Sequence, residues 1–184
     1  MIAPGMGTLL IAEPFLKDPN FIRTVILMCR HTGEEGSFGF VLNKIYHQTL
    51  DELIPELESF EYPVYTGGPV QMDTLHYIHQ YPDLLTDAQK ISAGIYWGGD
   101  FEILKDLIKN KKIETDKIKF FLGYSGWGTG QLEDEINENT WLTVNNTRKI
   151  VFDTTIEEIW KTSLLHLGGK YEMMIHFPTD PQLN

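Results

Sequence analysis

Residues 123–135, Gly-Tyr-Ser-Gly-Trp-Gly-Thr-Gly-Gln-Leu-Glu-Asp-Glu, gather four glycines, two aromatics, a glutamine and three acids into one short run. These residue types could support three kinds of chemistry. Glycine-rich backbone leading into a helix can present N–H groups to a phosphate. Glu133 and Glu135 could act as a carboxylate pair for proton transfer. Trp127, set among Gly126, Gly128 and Gly130, could stack on a ligand or partner, with Gln131 beside it offering an amide that donates and accepts.

The surroundings narrow these options. No Lys or Arg lies between Lys119 and Arg148, and Glu133, Asp134 and Glu135 fall in the first turns of the expected helix. They occupy the favourable field of its N-terminus, so a phosphate would meet three carboxylates. Alternate helix positions diverge by about 200°, so Glu133 and Glu135 do not address one substrate together. A neutral or cationic ligand, or a protein partner, suits the run better. The apolar residues 118–122 read as a strand, and Leu132 and Ile136, four apart, as one face of a helix. The expected context is strand, glycine turn, helix. Trp127 and Gln131 should border a shallow cleft, the indole half in and half out, with Tyr124 beneath.

Other reactive residues carry weaker signals. His76 and His79 share a face only on a helix, and residues 74–79 read as strand, which points them apart. No third metal ligand is visible, and no metal or cofactor is expected. Cys29, the single cysteine, sits in an apolar run and reads as a buried thiol without a disulfide partner. Ser37 and Ser125 lack the Gly-x-Ser-x-Gly spacing of a hydrolase elbow.

The bulk properties set limits. The 184 residues carry a formal net charge of −11, which repels polyanions and makes nucleic acid a poor default partner. No apolar run approaches a membrane span, and residues 1–15 lack the basic start of a signal peptide. A soluble, cytoplasmic protein is expected, with no membrane association.

The elements that must position these residues follow in order. Strands are expected at 7–13, 24–29 and 38–42, the last two forming a hairpin, and at 64–66, 75–79 and 91–97. Thr49 and Glu52 form a capping box for a short helix; Asp100 caps a helix bearing Phe101, Leu104, Leu107 and Ile108 on one face. After the glycine run, 141–144 and 150–152 read as a hairpin, Thr155 and Glu158 as a second capping box, Gly168-Gly169 as a helix stop, and 171–177 as a last strand. Pro178 and Pro181 break the tail. No linker divides the chain, so residues 1–184 are expected to form one domain. Irregularly inserted helices favour α+β with a mixed or antiparallel sheet over a βαβ repeat.

Several of these segments together resemble the YqgE/AlgH family of bacterial proteins. The resemblance rests on Gly7-x-Leu9-Leu10 with Pro14; Asp18-Pro19-x-Phe21-x-Arg23-x-Val25; Gly39-x-Val41-Leu42-Asn43; Gly67-Gly68-Pro69-Val70; Gly123-Tyr124-Ser125-Gly126-Trp127-x-x-Gly130-Gln131-Leu132-Glu133; and Trp141, Trp160, Leu167-Gly168-Gly169 and the ending Asp180-Pro181-x-Leu183-Asn184. One departure is Lys44-Ile45, where the family often has a basic residue followed by Pro. The resemblance implies a branched sheet curled into a pseudo-barrel with flanking helices. It brings no established activity. Members are described as transcriptional regulators, which names a genetic role without a mechanism.

The leading expectation is a non-enzymatic binding or regulatory protein, its partner a small molecule or another protein. Its cleft would be lined by Gly67, Gly68 and Pro69 together with Tyr124, Trp127, Gln131 and Glu133, with Asn43 and Arg23 contributing polar contacts. The alternative is an enzyme acting on a small neutral or cationic substrate, with a Glu and a His exchanging protons.

Overall fold

The computed structural model describes residues 1–177; Pro178, Pro181 and the Asp180–Asn184 ending lie outside the described residues. Short runs of β-branched, aliphatic and aromatic residues build ten strands. They are β1 (Thr8–Ala12), β2 (Val25–Thr32), β3 (Gly36–Val41), β4 (Ile45–Thr49), β5 (Pro63–Thr66), β6 (Val70–His79), β7 (Gln89–Ser92), β8 (Ile95–Trp97), β9 (Ile118–Trp127) and β10 (Trp141–Asn145). Five α-helices accompany them: α1 (Leu50–Leu53), α2 (Phe101–Lys109), α3 (Gln131–Asn137), α4 (Ile159–Leu167) and α5 (Tyr171–Met174).

The strands run β10-β1-β2-β3-β9-β6-β8-β7, with β4 and β5 branching off this path. Strand β9 is the branch point. It pairs antiparallel with β3 through residues 125–127, antiparallel with β6 through residues 118–124, and parallel with β5 through residues 120–122. The sheet is therefore mixed. Its two ends approach each other where Ser92 Oγ donates to Asn146 Oδ1 at 3.2 Å, linking the end of β7 to the turn after β10. This curls the sheet into a pseudo-barrel, and the α+β class is as expected.

The barrel interior is filled from both ends of the strand order, by Leu9, Leu27 and Val144 on one side and Ile91 and Ile95 on the other. Phe40 and Phe121 stack at its centre, 4.8 Å apart and 12° from parallel. Continuous burial along β1 and β3 explains their unbroken apolar sequences, since helices and loops cover the second face. On that face Leu10, Ile26 and Met28 pack with Trp127, Leu132 and Trp141.

Local signals formed the helices where caps were strong. Thr49 and Glu52 make a reciprocal capping box at α1. The Asp100 carboxylate accepts from Glu102 and Ile103 N–H at 2.8 and 3.1 Å, opening α2. Gly168, at φ +69°, stops α4.

Five expectations are corrected. Residues 91–97 are not one strand: the chain turns at Ala93-Gly94, and β7 and β8 pair with each other. Residues 150–152 are not a strand: β10 takes all five of its partners from β1, and Lys149–Asp153 forms a π-helical turn that inserts Ile150, Val151 and Phe152 into the interior. Residues 171–177 are not a strand either; α5 and the turn after it place Tyr171 and Ile175, four apart, against the same interior. Thr155 does not cap α4, which begins at Ile159; its carbonyl instead accepts from Glu158 and Ile159 in a preceding turn. The strand before the glycine run does not stop at residue 122 but continues to Trp127, so Gly123 and Gly126 are strand residues and only 128–130 turn. Among the described residues, no helix is long and apolar enough to cross a membrane.

Candidate functional site

The site is assembled where β5 hands over to β6 across the middle of β9. Gly67 N–H donates to Leu122 O, and Gly67 O accepts both Val41 N–H and the Ser125 hydroxyl. Here two backbones cross at contact distance. A Cβ on Gly68 would stand 2.2 Å from the Tyr124 carbonyl carbon, and one on Gly123, itself at φ +66°, 2.6 Å from Gly68 O. Only glycines allow this crossing. It throws β6 into a bulge, with Val70 opposite Tyr124 and the next paired residue, Leu75, opposite Leu122.

The crossing delivers Pro69 and Val70 to the flank of the Trp127 segment. Together with Leu16, Asp18, Phe21, Gln131, Glu135 and Trp141 they line a cleft of about 340 Å³. The Gly67–Pro69 turn and the Trp127–Gln131 segment are thus neighbours. Gly68 and Pro69 also line a smaller hollow of about 260 Å³ with Asn20, Lys44, Thr66 and Met72.

Glu135 organises the cleft floor. One of its oxygens accepts Trp127 Nε1–H at 2.8 Å and Trp141 Nε1–H at 2.7 Å; the other accepts Gln131 Nε2–H at 2.9 Å. Gln131 Oε1 in turn accepts Gly128 N–H at 3.0 Å and closes the turn. Three donors thus occupy both oxygens of this carboxylate. Sequence reasoning named Glu135 only as half of a carboxylate pair. The available signal was its spacing, four after Gln131 and six before Trp141.

Several expected details are corrected here. Trp127 is 6% exposed rather than half out, because its indole packs edge to face on Trp141 as well as bonding Glu135. Tyr124 is not beneath it: three residues apart on a strand, the two point to opposite faces, and Tyr124 packs against Phe38 and His76. The Gln131 amide is already engaged at both ends.

Glu133 turns away from Glu135, as its position two residues earlier on α3 requires, and its Oε1 lies 3.4 Å from His31 Nε2. The other His31 ring nitrogen is 2.7 Å from Ser37 Oγ. Asn43 and Arg23 do not reach the cleft. Asn43 Oδ1 accepts Val25 N–H and its Nδ2 donates to Arg23 O, fastening the entry of β2 to the end of β3. Arg23 is in the left-handed region at φ +51°, stacks its guanidinium 4.9 Å over Trp160 and donates to Phe177 O.

Cys29 and His79 lie in the interior. Burial pushes the Cys29 thiol well above its ordinary range. His79 is fully buried, with Nε2–H donated to Gly98 O at 2.9 Å and Nδ1 accepting Tyr81 N–H at 3.1 Å. Among the described residues no three His, Cys, Asp or Glu side chains cluster as metal ligands.

Comparison with known proteins places this architecture. A profile of the AlgH-like family matches residues 9–172. A UPF0301 protein of Chlorobium limicola is 44% identical over 178 residues, covering 97% of this chain and 95% of that protein. One from Parabacteroides distasonis is 43% identical, covering 100% and 93%. The solution structure of the AlgH protein from Pseudomonas aeruginosa superposes with a TM-score of 0.74 at 27% identity, covering 94% of each chain. A Corynebacterium diphtheriae protein shares the fold with a TM-score of 0.80 at 21% identity, covering 96% of this chain and 94% of that one. The cleft between the Gly67–Pro69 turn and the Trp127–Glu135 segment is therefore a feature of a chain that belongs to the AlgH-like family.

Proposed function

We propose that this is a cytoplasmic binding protein that takes a neutral or cationic small molecule, or a protein segment of that character, in the cleft beside Trp127. One observation carries the reading: the cleft combines apolar walls from Leu16, Phe21, Pro69, Val70 and Trp127 with charges of one sign only, Asp18 and Glu135. Apolar walls with a few fixed polar groups are the usual make-up of a ligand site. Two acids and no base disfavour phosphates and nucleic acid. Any regulatory effect then runs through the bound partner rather than through DNA contact.

A thermal-shift screen of metabolites tests this. A ligand at about 100 times its Kd adds roughly 2.7 kcal/mol of stability. Hits should be neutral or cationic, and Gln131→Lys, which sets a cation at the cleft rim on an exposed position, should lose them. A hit list confined to anions, or one untouched by that change, would overturn the proposal.

The enzymatic reading has one supporting observation, the chain Ser37–His31–Glu133 with contacts of 2.7 and 3.4 Å. Ser37 is only 6% exposed and is the second residue of β3, paired with both His31 and Trp127. That hydroxyl therefore offers almost no surface to a substrate. The contact is better suited to tying α3 to the β2–β3 hairpin.

A further inference from the structure

A second hollow, of about 440 Å³, lies at the other end of β9, between β5, the start of β9 and the π-helical turn. Lys119 and Tyr65 both line it, and both are at most 9% exposed. Lys119 Nζ has a single hydrogen-bond partner among the described residues, Tyr65 Oη at 3.2 Å, and sits 4.4 Å from the centre of that ring. A buried lysine is normally matched with a carboxylate. Here burial acts on the ammonium unopposed and lowers its pKa to about 8. At pH 7 about a tenth of Lys119 is then free amine, against roughly one part in three thousand for an ordinary exposed lysine.

The geometry points to Lys119 as a carbonyl-reactive amine that condenses with a small uncharged hydroxyaldehyde or hydroxyketone held in this hollow. The Nζ lone pair attacks the carbonyl carbon and forms a C–N bond. One nitrogen proton moves to the carbonyl oxygen, giving a carbinolamine. The Tyr65 hydroxyl, within hydrogen-bond reach of Nζ, relays that proton and then protonates the leaving oxygen. Water departs and a cationic imine remains. Amine, carbonyl and the proton given up by Tyr65 yield the cationic imine, water and a tyrosinate that solvent reprotonates, with no oxidant or reductant needed.

The rest of the lining selects the substrate class. Glu61, Asp116 and Asp153 place three carboxylates around the hollow. They repel keto acids and sugar phosphates. Thr115, Thr154 and Thr155 add hydroxyls that can donate to or accept from a hydroxylated carbon chain. Lysines buried in this way are recurrent Schiff-base formers.

The test is reductive trapping on the full chain. The protein is incubated at pH 7 with glyceraldehyde and cyanoborohydride, and the labelled lysines are mapped by peptide mass spectrometry. Lys119 should be alkylated at least tenfold faster than exposed Lys111 and Lys149 in the same molecule. Pyruvate, an anionic carbonyl, should label Lys119 no faster than those surface sites. Tyr65→Phe should slow labelling at Lys119 at least tenfold and leave Lys111 unchanged. Because the first comparison is internal to the unmodified protein, it stands even where the Tyr65 variant does not fold. Labelling of Lys119 at or below the surface rate would overturn the assignment, as would equal labelling by pyruvate.

Discussion

Trp127 and Trp141 meet edge to face, their ring centroids 6.0 Å apart and their planes at 84°, and both indole N–H groups point at the same oxygen of Glu135. One carboxylate thus fixes two large aromatic side chains from different strands.

Removing that carboxylate should be expensive. In Glu135→Ala both indole donors lose their acceptor, at about 1–3 kcal/mol each. Glu135→Gln keeps an acceptor oxygen and should lose about 1–2 kcal/mol. Trp127→Ala, which empties a buried ring, should cost about 3–5 kcal/mol. Urea unfolding of the three variants gives the order; a Gln variant as damaged as the Ala variant would contradict the shared-acceptor account.

The crossing of the Gly67–Gly68 turn over β9 makes two glycines unequal. Gly68→Ala would drive a methyl into the Tyr124 backbone, at 2.2 Å, whereas Gly130, at φ +77°, has open space around the added atom. Gly130→Ala should therefore cost only the left-handed penalty, about 1–2 kcal/mol. Gly68→Ala should exceed it clearly and lower the yield of folded protein. Equal unfolding midpoints would show that the crossing relaxes.

Stability should fall on mild acidification. Burial holds His76 and His79 below the ordinary 6.5, and only for His79 does a bond to Gly98 O push back. Protonating His79 also breaks the bond its Nδ1 accepts from Tyr81. The folded protein then binds fewer protons than the unfolded chain. The contribution is fully present above about pH 6.5 and is lost as pH drops towards the folded values. Two such sites change stability by at most about 2.7 kcal/mol per pH unit. Urea midpoints between pH 7.5 and 5 should decline, and His79→Gln should decline less steeply.

Duplex DNA should not be bound with sequence preference at physiological salt, given the −11 charge. The lysines around Lys111 and Lys112 are the one basic stretch that opposes this. A sequence-selective gel shift abolished by changing both would reverse the expectation.

Much of the architecture could be read from the chain. Thr49, Asp100 and Gly168 mark helix ends through local chemistry, and the β2–β3 hairpin follows from its two apolar runs. What failed was governed by distant partners. Gly123 and Gly126 look like turn residues, yet β3 and β6 hold them in a strand. Residues 150–152 look like a strand, yet they wind into a π-helical turn that packs Ile150, Val151 and Phe152 into the interior. The cleft was legible as two glycine-marked segments but not in its wiring, because the convergence of Trp127, Gln131 and Trp141 on Glu135 depends on how α3 packs. Asn43 and Arg23 were visible as motif residues, and only their contacts show that they fasten strands.

Strand β9 has three partners, all of which precede it in the chain. During synthesis β3, β5 and β6 therefore emerge with edges that nothing can pair until residue 127 has left the ribosome. Strand β1 waits longer, for β10 to pair its other edge. Most of this sheet is closed late and by contacts distant in sequence, the arrangement that slows folding and leaves unpaired edges open to other chains. The nascent protein is at its most aggregation-prone when about two-thirds of it has been made.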